Sequence, residues 1–204
     1  MQFAWRVPRI VSIVPAVMLA GLLSGCGINV IPTAEENAKA KWSDVQNQYQ
    51  RRADLIPNLV ETVKGYAAQE RDVLREVTEA RAKVSQIKVD ASTVTDPAKF
   101  KEFQDAQGAL TGALGRLLVT VERYPDLKSN QNFLALQSQL EGTENRIAIA
   151  RRDYIEAVRI YNTELSTFPG RIWHSLLYSS SQPMAAFDIS PAETQTPKVD
   201  FGTK

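Results

Sequence analysis

Apolar side chains recur in sevens along the first half of the chain. Trp42, Tyr49, Ile56, Val63, Glu70, Val77 and Val84 form one series, and Val45, Arg52, Leu59, Tyr66, Val73, Ala80 and Ile87 the other. The two are offset by three residues, the a/d spacing of a helix that packs along a seam. Only Arg52 and Glu70 interrupt the stripe, and the positions between are mostly charged or amide-bearing, as a solvated face requires. The pattern predicts one long amphipathic helix over residues 33–88, opened by a capping box from Thr33 to Glu36. Pro57 lies inside it and removes a backbone hydrogen bond, at about 3 kcal/mol if the helix runs straight through. A kink near residues 53–56 or a true break is therefore expected. The unchanged phase on either side of Pro57 favours the kink over a hairpin.

Asp96-Pro97 reads as an N-cap followed by proline at the first helical position, and starts a second helix that runs to about Arg123. Its sevens are Phe103, Leu110, Leu117 and Tyr124, with Ala106 and Ala113 between them. Gly108, Gly112 and Gly115 weaken this helix by roughly 1 kcal/mol each relative to Ala. Grouped in this way they point to close approach of a neighbouring helix. After a turn at Tyr124-Pro125-Asp126, a third helix over residues 129–167 carries Phe133, Leu140, Ile147, Tyr154, Tyr161 and Phe168, accompanied by Leu136, Thr143, Ala150 and Ala157. Phe168-Pro169-Gly170 ends it. A short apolar piece over residues 172–178 is expected to fold onto the bundle. Residues 179–204 are rich in Ser, Pro and Thr, lack periodicity, and read as a disordered tail.

These elements give an all-α fold, an elongated antiparallel up-and-down bundle of three long helices and a short one, resembling a four-helix bundle. At 1.5 Å per residue the first and third helices run roughly 60 Å and the second about 40 Å. Part of the first and third is thus left without cover. Either Pro57 bends the excess back, or another chain covers it, which would make a homo-oligomer.

Two blocks of the sequence carry a resemblance. RRADLIPNLVETVKGYA (residues 51–67) and LEGTENRIAIARRDY (residues 140–154) resemble the two signature blocks of the LemA family of bacterial envelope proteins. The likeness covers residues 33–168, with a weaker echo in PKVDF at 197–201. It implies a helical fold and a place in the cell envelope, but no particular biochemical activity.

The N-terminus fits that place. Arg6 and Arg9 precede an uncharged apolar run over residues 10–23, too short to cross a hydrocarbon core, which needs about 20 residues. Leu23-Ser24-Gly25-Cys26 follows and resembles the lipobox of bacterial lipoproteins. By that resemblance residues 1–25 are a signal peptide, cleavage falls between Gly25 and Cys26, and Cys26 carries a diacylglyceryl thioether and an N-acyl chain. Three acyl chains, at about 0.8 kcal/mol per buried methylene, would hold the protein on a membrane. Residues 26–32 become a tether and residues 33–178 the bundle. The alternative is a plain thiol at the end of an uncleaved signal anchor. Gly27, where an inner-membrane lipoprotein would have Asp, favours the periplasmic face of the outer membrane.

Charge and composition narrow the chemistry. The formal charge is +1 and hydrophobic content 44%, so nothing marks a nucleic-acid partner. One cysteine excludes an internal disulfide, and one histidine, His174, argues against a histidine-based metal site. No phosphate-binding loop, dinucleotide glycine pattern, GxSxG or HExxH is present. The remaining candidates are the polar residues on or beside the seams: Arg52 and Glu70, with Glu144 and Arg146 on the third helix. Buried polar groups in bundles commonly pair across helices and fix register. A carboxylate metal site of the di-iron type needs an ExxH arrangement, which is missing. The expectation is a non-enzymatic, lipid-anchored scaffold or accessory factor with no cofactor beyond the lipid on Cys26 and an envelope protein as partner. The alternative is a bundle that binds a small apolar ligand or lipid between its helices.

Overall fold

The computed structural model of the protein describes residues 27–90 and 92–187. Leu23, Ser24, Gly25 and Cys26 therefore lie outside the described residues, as do 188–204. Those described form six helices: α1 (Val30–Lys64), α2 (Arg71–Gln86), α3 (Pro97–Val121), α4 (Pro125–Lys128), α5 (Gln131–Ser166) and α6 (Gly170–Leu177). The fold is all-α, with α1, α2, α3 and α5 alternating up, down, up, down.

Helix α1 starts before the expected capping box. The Thr33 amide donates to the Asn29 carbonyl at 3.0 Å, so Thr33 is already inside the helix. Ile31 is fully buried, and the folded bundle takes in most of the expected tether. The helix continues through Pro57 to Lys64. The carbonyl that Pro57 leaves without a donor belongs to Ala53, and it accepts from Arg81 Nε on α2 at 3.0 Å.

The single helix over residues 33–88 is in fact two. The chain reverses across residues 65–70, where the amides of Tyr66 and Ala67 both close onto the Val63 carbonyl at 3.0 and 2.8 Å. Helix α2 then runs back along α1, which is how Arg81 comes to lie beside Ala53. Heptad phase reports spacing modulo seven, and this turn happens to preserve it. The register itself changes: Tyr66 is exposed, while Leu74, which belongs to neither series, is buried.

Helix α3 is capped as its sequence predicts, Asp96 Oδ1 accepting from the amides of Ala98 and Lys99 at 2.9 and 3.3 Å. Phe100, Phe103, Ala106, Leu110, Ala113 and Leu117 turn inward. With those positions inside, Gly108 and Gly115 fall on the outer surface and Gly112 is half-buried. A Cβ built on Gly108 or Gly115 would meet no other atom within 4 Å, so they do not serve close helix packing within the chain.

The core divides into two clusters. One is aromatic, with Trp42, Tyr49, Phe100, Phe103, Tyr154 and Tyr161. The other is aliphatic, with Ile56, Leu59, Val63, Leu74, Val77, Leu110, Leu117 and Leu140. Helix α2 is only 16 residues long and covers the aliphatic half alone. Over the aromatic half its place is taken by Val89 and Val94 ahead of α3, and by residues 181–187 after α6.

That second segment corrects the expectation of a disordered tail from residue 179. Tyr161 and Tyr154 donate their hydroxyls to the carbonyls of Gln182 and Ala185 at 3.0 and 2.7 Å. The Asn162 amide pairs with both backbone groups of Met184, at 2.8 and 3.0 Å, and the Ala185 amide donates to the Val94 carbonyl at 2.7 Å. Met184 and Phe187 are buried, and Phe187 packs edge-on against Tyr154 with ring centres 5.8 Å apart. The length mismatch that pointed to a second chain is thus covered by the protein's own residues.

Candidate functional site

The boundary between the two clusters is polar, and Arg52 is its centre. Only 1% of Arg52 is exposed. One terminal nitrogen donates to Glu144 Oε1 at 2.8 Å and Thr111 Oγ1 at 2.9 Å; the other donates to Gln107 Oε1 at 2.5 Å. The guanidinium also sits 5.0 Å from the centre of the Tyr49 ring. Its Nε is buried and has no hydrogen-bond partner. Helices α1, α3 and α5 each contribute to this layer, and α1 and α5 pass through it unbroken.

The four polar residues of the seams separate in space. Arg52 and Glu144 form one ion pair. Arg146 lies beside them without joining, donating to Gln48 Oε1 at 3.2 Å and Thr143 Oγ1 at 3.0 Å. Glu70 belongs to the turn at the far end of α1. It accepts from the Tyr124 hydroxyl at 2.6 Å and from Arg123 at 3.1 Å. The bond to that carboxylate pushes the Tyr124 phenol above its ordinary value, because ionisation would place two negative oxygens together. Gln69 donates to the same hydroxyl, and Asn130 to the Tyr66 hydroxyl, so this end is laced by side chains.

Gln107 and Thr111 were not readable from the sequence. They flank the inward row of α3, and nothing in their spacing marks them as partners of Arg52. Thr143 did carry a signal, as a hydroxyl at a position where Leu136 and Ala150 are apolar.

On the outside of the layer, α3 and α5 leave a half-open groove of about 220 Å³, lined by Leu114, Gly115, Leu118 and Leu140 and closed at one end by Thr111 and Glu144. A second groove, of about 280 Å³, lies between α1 and the end of α2 and is lined by Tyr49, Gln50, Ala53, Val84, Ile87 and Phe103. Among the described residues no cluster of His, Cys, Asp and Glu has the arrangement of a metal site. No helix of the described residues is long and apolar enough to cross a membrane.

A model of the LemA family matches residues 41–201. The chain belongs to the LemA family. The matched span takes in Arg52, Glu144 and the segment that closes the aromatic half. Among individual relatives, magnetosome protein MamQ 1 of Paramagnetospirillum magneticum is 27% identical over 83% of this chain and 67% of its own length. Magnetosome protein MamQ of Magnetospirillum gryphiswaldense is 27% identical over 69% of this chain and 58% of its own length. Protein LemA of Metamycoplasma hominis is 28% identical over 61% of this chain and 52% of its own length.

Proposed function

We propose that this LemA-family chain is a lipid-anchored protein of the cell envelope that works through protein–protein contact rather than catalysis. The observation that carries the reading is the position of Cys26. Helix α1 starts at Val30, so three residues separate the lipobox cysteine from a packed bundle. The likeness to proteins named for the magnetosome is in keeping with a part in a larger assembly. By this reading acyl chains on Cys26 hold the protein to the membrane, Gly27 directs it to the periplasmic face of the outer membrane, and a second envelope protein, or another copy of the chain, is the partner.

The test is the intact mass of protein extracted from native membranes after crosslinking. A chain starting at Cys26 with added acyl mass, crosslinked to a reproducible neighbour, is the expected result. Cys26→Ser should leave an unprocessed precursor or release the protein from the membrane; unchanged fractionation and mass would overturn the anchor. A second reading rests on the groove between α3 and α5, whose apolar lining suits a small apolar ligand or lipid. Native mass spectrometry that finds such a ligand bound, and loses it in Gly115→Leu, would favour that reading.

A further inference from the structure

Among the described residues, five exposed large apolar side chains gather at one end of the bundle. They are Val30 at the start of α1, Phe168 in the turn after α5, and Ile172, Leu176 and Leu177 on α6, with Phe168 81% and Leu176 69% exposed. Ile172 and Leu176, four apart within α6, share one side of that helix, and Phe168 lies in the turn that leads into it. The presentation is held firmly. A Cβ on Gly170 would lie 2.1 Å from the Glu164 carbonyl oxygen, so glycine alone lets α6 fold back so tightly on α5. The other side of α6 is anchored by His174, whose Nε2 is 3.0 Å from the Ser181 carbonyl oxygen, and by Trp173 against the aromatic cluster.

What covers this patch is indicated by where the chain leads. Gly27 lies at the same end of the bundle, its Cβ position 3.1 Å from Trp173 Nε1 on the anchored side of α6 and 3.7 Å from Pro169 in the turn before it. The residue before it is Cys26, and the uncharged apolar run of residues 10–23 precedes that. On the envelope-anchored reading, by acyl chains or by a retained anchor, the attachment is next in sequence to a residue that touches α6 and the turn before it. A helix with Ile172 and Leu176 outward and a basic residue in Arg171 has the composition of a segment that lies in the headgroup region.

We infer that α6 and the turn before it form a membrane-docking face, which seats this end of the bundle on the bilayer. The inference rests on the envelope-anchored reading, and adds to it that the bundle is held rigidly rather than swinging on a tether. A free apolar patch of this kind would otherwise favour aggregation.

The test uses the full chain, purified from native membranes and reconstituted into vesicles of phosphatidylethanolamine and phosphatidylglycerol. An environment-sensitive fluorophore is placed on Ser175→Cys, with Ser129→Cys at the opposite end as reference, and co-sedimentation is measured alongside. Docking predicts a blue shift at position 175 and loss of most of its emission to bromine-labelled acyl chains, with neither effect at 129. Adding Ile172→Ser and Leu176→Ser should abolish both effects while the protein still sediments with vesicles and melts as before. Co-sedimentation without a shift at 175 would overturn docking and leave the anchor standing. Failure to co-sediment would overturn both. A shift seen in native membranes but absent from pure lipid would assign the face to a protein and overturn a bilayer role.

Discussion

Arg52 shows how one charged residue can organise a core. Its charge is buried where three helices meet, and it is tolerated because Glu144, Thr111 and Gln107 accept hydrogen bonds from it. Arg52→Ala should cost about 3 kcal/mol in urea denaturation, since it empties the layer and strands the Gln107 side chain. Glu144→Gln keeps an acceptor near the guanidinium and should cost about 1 kcal/mol. The reverse order would mean that the layer is not built around the guanidinium. A second buried group, the Tyr154 phenol, is held neutral by burial, its pKa raised above the ordinary value of about 10. In the unfolded chain this phenol ionises near pH 10, while in the folded chain it does so only at higher pH. Its contribution to stability is therefore complete below pH 10 and is lost as the pH rises beyond it. Tyr154→Phe should cost about 1 kcal/mol at neutral pH, through the lost bond to Ala185, and make the alkaline decline shallower by about one proton. Stability measured from pH 8 to 11 checks both parts.

At the scale of elements, the sequence disclosed which faces are apolar better than where the chain turns. The stripe from Trp42 to Val63 and the cap at Asp96 could be read directly, because burial and capping each demand a residue type at a fixed spacing. The reversal after Lys64 could not, since the turn preserves heptad phase and Pro57 was the more obvious breaker. Pro57 is instead accommodated by a residue 24 positions later in sequence, Arg81, whose Nε takes the place of the missing amide donor on the Ala53 carbonyl. This predicts coupling between Pro57 and Arg81 through the Ala53 carbonyl. Arg81→Ala should destabilise the protein by about 1 kcal/mol with Pro57 present. In Pro57→Ala the restored amide donates to Ala53, and the same change should cost much less. A double-mutant cycle measures the difference, and additive effects would refute the compensation. The candidate site was legible in the same uneven way: Arg52 and Glu144 stood out as charges on apolar stripes, whereas Gln107 and Thr111 are ordinary polar residues until the fold brings them together.

Over the whole molecule, the polar layer divides a bundle whose halves are closed by different means. The aliphatic half is enclosed by four helices. The aromatic half lacks α2 and is closed by two non-helical segments, of which residues 181–187 bury Met184 and Phe187 against Trp42, Phe100 and Tyr154. Such a segment read as disorder because it has no periodicity, its backbone groups being paired with Tyr154, Tyr161, Asn162 and Val94 instead of with one another. Closure by side chains at a few points is less cooperative than closure by a helix, so the two halves should differ in how they respond to loss of the segment. A chain truncated after Tyr178 leaves the aromatic rings exposed and the Tyr154 and Asn162 side chains without those partners, while among the described residues Leu59, Val63 and Leu117 belong to the aliphatic cluster, which residues 181–187 do not join. Hydrogen exchange should then quicken sharply in the stretches of α1 and α5 around Trp42 and Tyr154, and far less around Leu59 and Leu140 on the same two helices. Uniform quickening along α1 and α5 would show that the layer at Arg52 does not separate the halves energetically, and that the bundle opens as a single unit.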